Sequence, residues 1–249
     1  MQEKINSEGK CLFCDKSFSK TSINRHLVSH LNEFKPTEKH GLSFLVKVET
    51  LKRRRGTTPY FLSLWIDGEA KFDDFDSFLR DIWLECCGHM SAFIYPAKRK
   101  PARGFFDFLN EGEDDEEFEG DISKKWKVKK VFAKDLVLEY EYDFGSTTAL
   151  SITVVEQFPV KATEKIILLS RNEPLKIVCC SCGKAPATQL CSVCYDDAFF
   201  CGKCAKKHAK TCSDFADYAS MPVVNSPRMG VCGYEGGVID KERDGVFQM

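Results

Sequence analysis

The sequence has no apolar run that approaches the 18 or so residues needed to cross a bilayer as a helix. Its first ten residues are polar, so an apolar signal-peptide core is absent there. It has almost no net charge: 36 Lys and Arg stand against 37 Asp and Glu. No global field therefore draws it onto nucleic acid or an anionic surface. No Gly-rich phosphate loop is visible, and no internal repeat. These absences give the expectation of a chain made and kept in the cytoplasm, with no membrane partner. What remains is ample for a core: 43% apolar residues, with 20 Phe and three Trp among 249. Cysteine is the enriched residue, with 13 copies. In a reducing compartment clustered cysteines point to metal rather than to disulfides.

The cysteines divide the chain. Two lie at 11 and 14, two at 86 and 87, and nine from 179 onward. The expected organisation is a finger over residues 1–36 and an α+β domain over 40–175 with a charged loop at 96–121. A two-zinc module over 176–214 and a tail over 215–249 complete it.

In the middle stretch, Leu42, Phe44, Val46 and Val48 alternate as in a strand, and Tyr60 to Ile66 is a second apolar run. Phe75, Phe78, Leu79, Ile82 and Trp83 follow helical spacing, with Asp73 or Asp74 as the expected cap and Gly88 as a stop. Ser91 to Tyr95 reads as a strand. Leu136 to Tyr142 and Leu150 to Val154 alternate around Gly145 to Thr148, which predicts a hairpin. Ile166 to Leu169 adds another strand. The fold class expected is α+β: a mostly antiparallel sheet with one main helix, flanked by two small zinc-stabilised modules.

Cys11 and Cys14 form a two-residue knuckle, and His26 and His30 share one helix face. Two thiolates and two imidazoles are a tetrahedral zinc set. Phe18 and Ile23 fall where such a unit needs its small core. The pattern resembles the two-Cys two-His zinc finger, with eleven residues between Cys14 and His26 in place of the usual twelve or so. In such fingers helix positions −1, 3 and 6 read bases. Here these are Ser19, Ser22 and Arg25, of which only arginine is a strong reader of guanine.

Cys179, Cys182, Cys191, Cys194, Cys201, Cys204, His208 and Cys212 supply eight ligands in regular pairs. Close pairs of this kind interleave. Cys179, Cys182, Cys201 and Cys204 would hold one zinc; Cys191, Cys194, His208 and Cys212 would hold the other. The arrangement resembles B-box, HIT and MYND fingers, which mostly present partner surfaces. Over residues 176–212 six Lys and two Asp give +4, and seven thiolates with two zinc ions add −3, leaving about +1. The total expected is three zinc ions, all in closed structural sites.

Phe72-Asp-Asp-Phe75, His89-Met-Ser-Ala-Phe93 and Tyr140-Glu-Tyr-Asp-Phe-Gly145 together resemble the plasmid pRiA-four-b ORF-three-like family, also labelled TnpR-like passengers of insertion elements. The likeness spans about residues 42–170, and Asn225 to Tyr234 looks like the closing tail of some members. It implies an α+β, β-grasp-like sheet domain and a mobile-element or regulatory setting. Ser146, Thr148 and Leu150 stand where the family motif carries an acid, an indole and an imidazole. No activity comes with the resemblance.

Outside the motifs, Cys86 and Cys87 read as buried packing, His89 as packing or capping, and Asp143 as a turn acid. Lys125, Lys127 and Lys129 would share one face of a strand, either as a phosphate-facing stripe or as edge protection. With Lys52 to Arg55 and Lys98 to Arg103 they would make a basic patch. The function expected is a non-enzymatic zinc-binding adaptor for a protein or nucleic-acid partner, nucleic-acid contact being weak and largely non-specific. The competing class is an enzyme working in a groove of the central domain.

Overall fold

A computed structural model describes residues 7–34, 41–51, 59–96, 122–194 and 198–246. The basic runs at 52–55 and 98–103 and the acidic run at 111–119 lie outside the described residues. Strands β1 (Glu8–Lys10) and β2 (Ser17–Ser19) form a hairpin, followed by helix α1 (Ile23–Leu31). Next come β3 (Ser43–Thr50), β4 (Phe61–Asp67), helix α2 (Phe72–Leu79) and β5 (Ser91–Ile94). Strands β6 (Val137–Tyr142), β7 (Thr148–Phe158) and β8 (Ile166–Arg171) follow. The C-terminal part holds β9 (Gln189–Cys191), β10 (Phe199–Phe200), helix α3 (Gly202–His208) and β11 (Ser220–Pro222).

Strands β3 to β8 make one six-stranded sheet in the order β5-β6-β7-β3-β4-β8, with every neighbouring pair antiparallel. The expected β6–β7 hairpin is present, with β7 also pairing β3 at the centre of the sheet. The alternation along β3 and β4 sends their two residue sets to opposite faces. Phe44, Val46, Val48, Leu62, Leu64 and Ile66 meet α2 and an aromatic cluster that includes Phe72, Phe75, Phe93 and Phe132. Leu45, Phe61 and Trp65 point the other way, against Ile23, Leu27 and Leu31 of α1. Those three finger residues lie at i, i+4 and i+8, one stripe of a helix. The N-terminal finger is therefore the third layer of the molecule, and its core is continuous with the back of the sheet.

Close backbone contact fixes that layer. The Leu12 N–H donates to the Leu169 carbonyl at 3.0 Å, and the Glu173 N–H to the Glu8 carbonyl at 2.8 Å. A Cβ on Gly9 would sit 2.6 Å from Phe61 Cζ and 2.8 Å from the Arg171 carbonyl oxygen, so only glycine allows this approach. Ser63 Oγ donates to Asn24 Oδ1 at 2.7 Å.

Two details of α2 differ from the sequence expectation. The residue at its N-cap is Lys71, and the Asp74 carboxylate reaches back to accept from the Lys71 N–H at 2.9 Å. The helix also does not stop at Gly88 but widens into a π-turn over Arg80–Leu84. The helix ends there, and its last carbonyls have no donors further along the helix. Two of them serve the C-terminal tail: the Asp81 carbonyl accepts from the Val238 N–H at 2.6 Å, and the Trp83 carbonyl from Ser226 Oγ at 2.7 Å.

The C-terminal strands form a separate sheet, β10-β9-β11. The chain leaves the main domain after Arg171 and returns to it at Asn225. Asn172 and Asn225 clip the two crossings: Asn172 Nδ2 donates to Asn225 Oδ1 at 2.6 Å, and Asn225 Nδ2 donates to the Asn172 carbonyl at 2.8 Å. The tail then inserts into the α+β domain. Arg228 is fully buried and pairs with Asp143 at 2.5 Å, and the equally buried Arg171 pairs with Asp244. Among the described residues no helix is long and apolar enough to cross a membrane.

Candidate metal centres

All thirteen cysteines are free thiols, and the structure gathers Cys and His into four groups, each with its ligand atoms within 4.8 Å of one another. The first is Cys11, Cys14, His26 and His30. The turn between β1 and β2 places the thiols: the Cys11 N–H donates to the Lys16 carbonyl at 2.9 Å, and Asp15 takes the left-handed conformation that closes the turn. Burying Ile23, Leu27 and Leu31 turns the adjacent stripe of α1, with both histidines, toward that knuckle. Cys14 Sγ lies 3.2 Å from His26 Nε2, which lies 3.1 Å from His30 Nε2. Phe18 stacks on His26 with centroids 4.0 Å apart. Burial, and then the neighbouring His30 and Lys16 charges, lower the His26 pKa and favour the neutral imidazole.

Two further groups occupy the C-terminal module: Cys179, Cys182, Cys201 and Cys204; and Cys191, Cys194, His208 and Cys212. Their order along the chain interleaves. Helix α3 joins them, with Cys201 at its N-cap, Cys204 in its first turn and His208 at its end. Phe200 stacks on His208 at 4.3 Å. Cys180 lies outside both sets; its N–H donates to the Phe199 carbonyl at 2.9 Å.

The electrostatics suit a cation. Burial raises the Cys179 pKa, but backbone N–H groups of Cys201, Cys182 and Ser181 aimed at its sulfur bring it down to about 6. Amides of Ala185 and Lys184 likewise lower Cys182. In both C-terminal groups, thiols with lowered pKa values stand beside one that is raised. Hydrogen bonding to Cys191, burial and the nearby Cys212 push Cys194 up to about 11. Several thiolates within touching distance need a positive ion at their centre before all can lose their protons.

The fourth group, Cys86, Cys87, His89 and Cys232, is absent from the sequence reading, which took the cysteine pair as buried packing and His89 as packing or capping. Cys87 Sγ lies 3.0 Å from His89 Nε2 and 3.6 Å from Cys232 Sγ; His89 Nε2 lies 3.3 Å from Cys232 Sγ. Cys86 Sγ is 3.7 Å from Cys87 Sγ. Cys87 and Cys232 are exposed, Cys86 and His89 half-buried. The local signal was Cys-Cys-x-His in four residues. Its completing ligand is 145 residues beyond Cys87, too far for any spacing rule.

The remaining predicted contacts fare differently. Arg25 is exposed on the outer side of α1. Ser19 Oγ and Ser22 Oγ bond each other at 2.8 Å. Lys125, Lys127 and Lys129 are not on a strand. Residues 124 and 125 form a turn, and Val128–Lys130 is a short 3-10 helix that buries Val128. Alternation there fails because Lys124 turns inward, its Nζ 3.1 Å from Asp76 Oδ1. Both Lys127 and Lys129 pair with the single carboxylate of Glu69. Asp76 itself is a buried hub that also accepts from Ser91 Oγ at 2.6 Å, Tyr140 OH at 2.8 Å and Arg80 Nε at 2.8 Å. Burial raises its pKa, but these donors and the Lys124 and Arg80 charges outweigh that and hold it below the ordinary value.

No family model matches the chain, and no curated protein matches it. Among solved structures it is similar to a protein of unknown function from Methanosarcina mazei Go1, at 16% identity and a TM-score of 0.35. The match covers 53% of this chain and 68% of that one.

Proposed function

We propose that the protein is a non-enzymatic adaptor, stabilised by zinc in its finger and in its C-terminal cross-brace, that recruits a protein partner through the finger. The observation that carries this is an exposed apolar cluster beside the seam where the finger meets the sheet, its Phe34 also packing against Trp65 with centroids 4.9 Å apart. Leu12, Phe13 and Phe34 are 45%, 39% and 40% exposed, and Phe13 packs against Phe34 at 6.1 Å. Clustered exposed aromatics are the usual anchors of protein interfaces. Zinc is the metal that the donors favour. Two thiolates with two imidazoles, four thiolates, and three thiolates with one imidazole are its ordinary structural sets. Each set fills a tetrahedron with protein atoms, the arrangement of a structural rather than a catalytic ion. Nucleic-acid binding is the weaker reading, because two of the three lysines expected to face phosphate share a carboxylate. The mobile-element setting rests on the family resemblance alone.

The test is copurification from native cells, with and without nuclease, of the parent and of Leu12→Asp/Phe13→Asp. The expected result is a protein retained after nuclease and lost in the variant, with the variant's zinc content unchanged. Tight, sequence-specific duplex binding that survives high salt would overturn the proposal.

A further inference from the structure

We infer that Cys86, Cys87, His89 and Cys232 form a fourth metal site, which takes a divalent ion of the zinc class and latches the C-terminal segment onto the α+β domain. It goes beyond the adaptor reading, and neither stands on the other.

The spacing fits an ion. In a tetrahedral zinc centre, ligand bonds of about 2.3 Å for sulfur and 2.0–2.1 Å for nitrogen put two sulfurs about 3.8 Å apart and a sulfur and nitrogen about 3.6 Å apart. Two of the three sulfur pairs stand at 3.7 and 3.6 Å and two of the three sulfur–nitrogen pairs at 3.0 and 3.3 Å, slightly contracted; the other two pairs, both to Cys86, lie within 4.8 Å. A disulfide would need about 2.05 Å. Three thiols and one imidazole converging on a common point is the same donor chemistry as the Cys191, Cys194, His208 and Cys212 set.

The surroundings fit as well. Three thiolates around a divalent ion carry a net charge of −1. The fully buried Arg228 guanidinium lies 3.6 Å from Cys86 Sγ and places a cation beside that sulfur while it also pairs with Asp143. Arg228 is held there by Asp143, the Ser146 carbonyl at 2.8 Å and Thr148 Oγ1 at 3.2 Å.

Both ligand-bearing turns are shaped for their donors. Gly88 is left-handed at φ 77°, with its N–H donated to Glu85 Oε1 at 2.5 Å, and separates Cys87 from His89. An added Cβ there would meet nothing within 4 Å, so the backbone conformation alone asks for glycine. Cys232 itself is left-handed at φ 51°, between left-handed Gly230 and Gly233. A β-unbranched residue with a side chain is rare in such a run. It aims this thiol at Cys87 and His89 across the seam between tail and domain.

The site therefore joins the end of the π-turn to the tail that returns from the cross-brace. Metal there would set how firmly residues 225–244 are seated, and with them the neck clipped by Asn172 and Asn225.

The test uses the full chain, kept reduced, stripped of metal and reloaded with zinc alone. Elemental analysis compares the parent with Cys87→Ser/Cys232→Ser. The parent is expected to hold one zinc per chain more than the variant, whatever the occupancy of the other three groups. Equal zinc in parent and variant overturns the proposal. A second measurement needs no variant. Peptide mapping of the parent after iodoacetamide treatment should show Cys87 and Cys232 protected by zinc and alkylated together once a chelator removes it. Alkylation of these two exposed thiols at the same rate with and without zinc overturns it too. Either result is independent of whether Leu12 and Phe13 capture a partner, so the two proposals fail separately.

Discussion

Replacing Leu27 by alanine asks whether the finger is a layer of the fold or an appendage. Leu27 is fully buried, on the α1 stripe that meets Leu45, Phe61 and Trp65 across the back of the sheet. Removing a buried leucine side chain costs its transfer energy plus the cavity left behind, about 2–5 kcal/mol. Gly9 and Leu12 hold the hairpin against β8 by backbone contact, so the site has little room to collapse. The expected loss is therefore in the middle of the range, about 3 kcal/mol. The layered architecture adds a sharper expectation. Because the finger's core is also the sheet's core, the loss belongs to the whole domain. Urea unfolding at saturating zinc, followed by Trp fluorescence and far-ultraviolet circular dichroism, should show one transition at a lower midpoint with an unchanged slope. Two separated transitions, with the sheet unfolding at the parent's midpoint, would refute the reasoning and make the finger an independent unit.

Cys191→Ser should open residues 176–212 to limited proteolysis while the sheet stays protected, since an ion held by each donor set would tie distant segments of this module together; unchanged protection of that region would count against the ligand assignment. The depressed Asp76 pKa gives stability that is present above the unfolded value of about 3.9 and is lost as pH falls through the lower folded value. The stability difference between the parent and Asp76→Asn should thus shrink below about pH 4, and a difference that stays constant there would show that Asp76 is not the titrating group. In any low-salt duplex titration that registers binding, replacing Lys125, Lys127 and Lys129 together with alanine should flatten the log–log salt slope by about 1. Three independent phosphate contacts would instead flatten it by nearly 3, which would mean that Glu69 does not hold its two lysines.

The sequence exposed what local period and local spacing encode. The alternation at Leu42 to Val48 and around Gly145 marks real strands, because a strand with one apolar set must show that set to a core. The ligand spacings at 11–30 and 179–212 are legible because a knuckle and a helix turn fix donors within a few residues. What escaped depends on distant partners. Residues Phe61 to Asp67 are buried throughout, since the finger covers the face that α2 does not, and no window of sequence shows that cover. Lys125, Lys127 and Lys129 alternate on paper, but Asp76 and Glu69 dictate where that segment's lysines go. Asp74 looks like a cap and instead serves the helix from within its first turn. Cys86 and Cys87 looked inert because Cys232 lies on a tail whose path is set by two buried arginines, not by any period.

The path of that tail gives the fold a direction in time. A ribosome that has synthesised every strand of the large sheet, from β3 to β8, has still not made Arg228, Asn225 or Asp244. Until they emerge, Arg171 has no Asp244 to neutralise it and Asp143 has no arginine, and each charge belongs in a site that closes over it completely or nearly so. An unpaired charge cannot be buried cheaply. The nascent sheet must therefore leave that end open to water while the whole cysteine-rich excursion is translated, and closes only when the returning segment arrives. A protease that cuts between the C-terminal module and residue 225 would leave the tail held to the domain only by these non-covalent contacts.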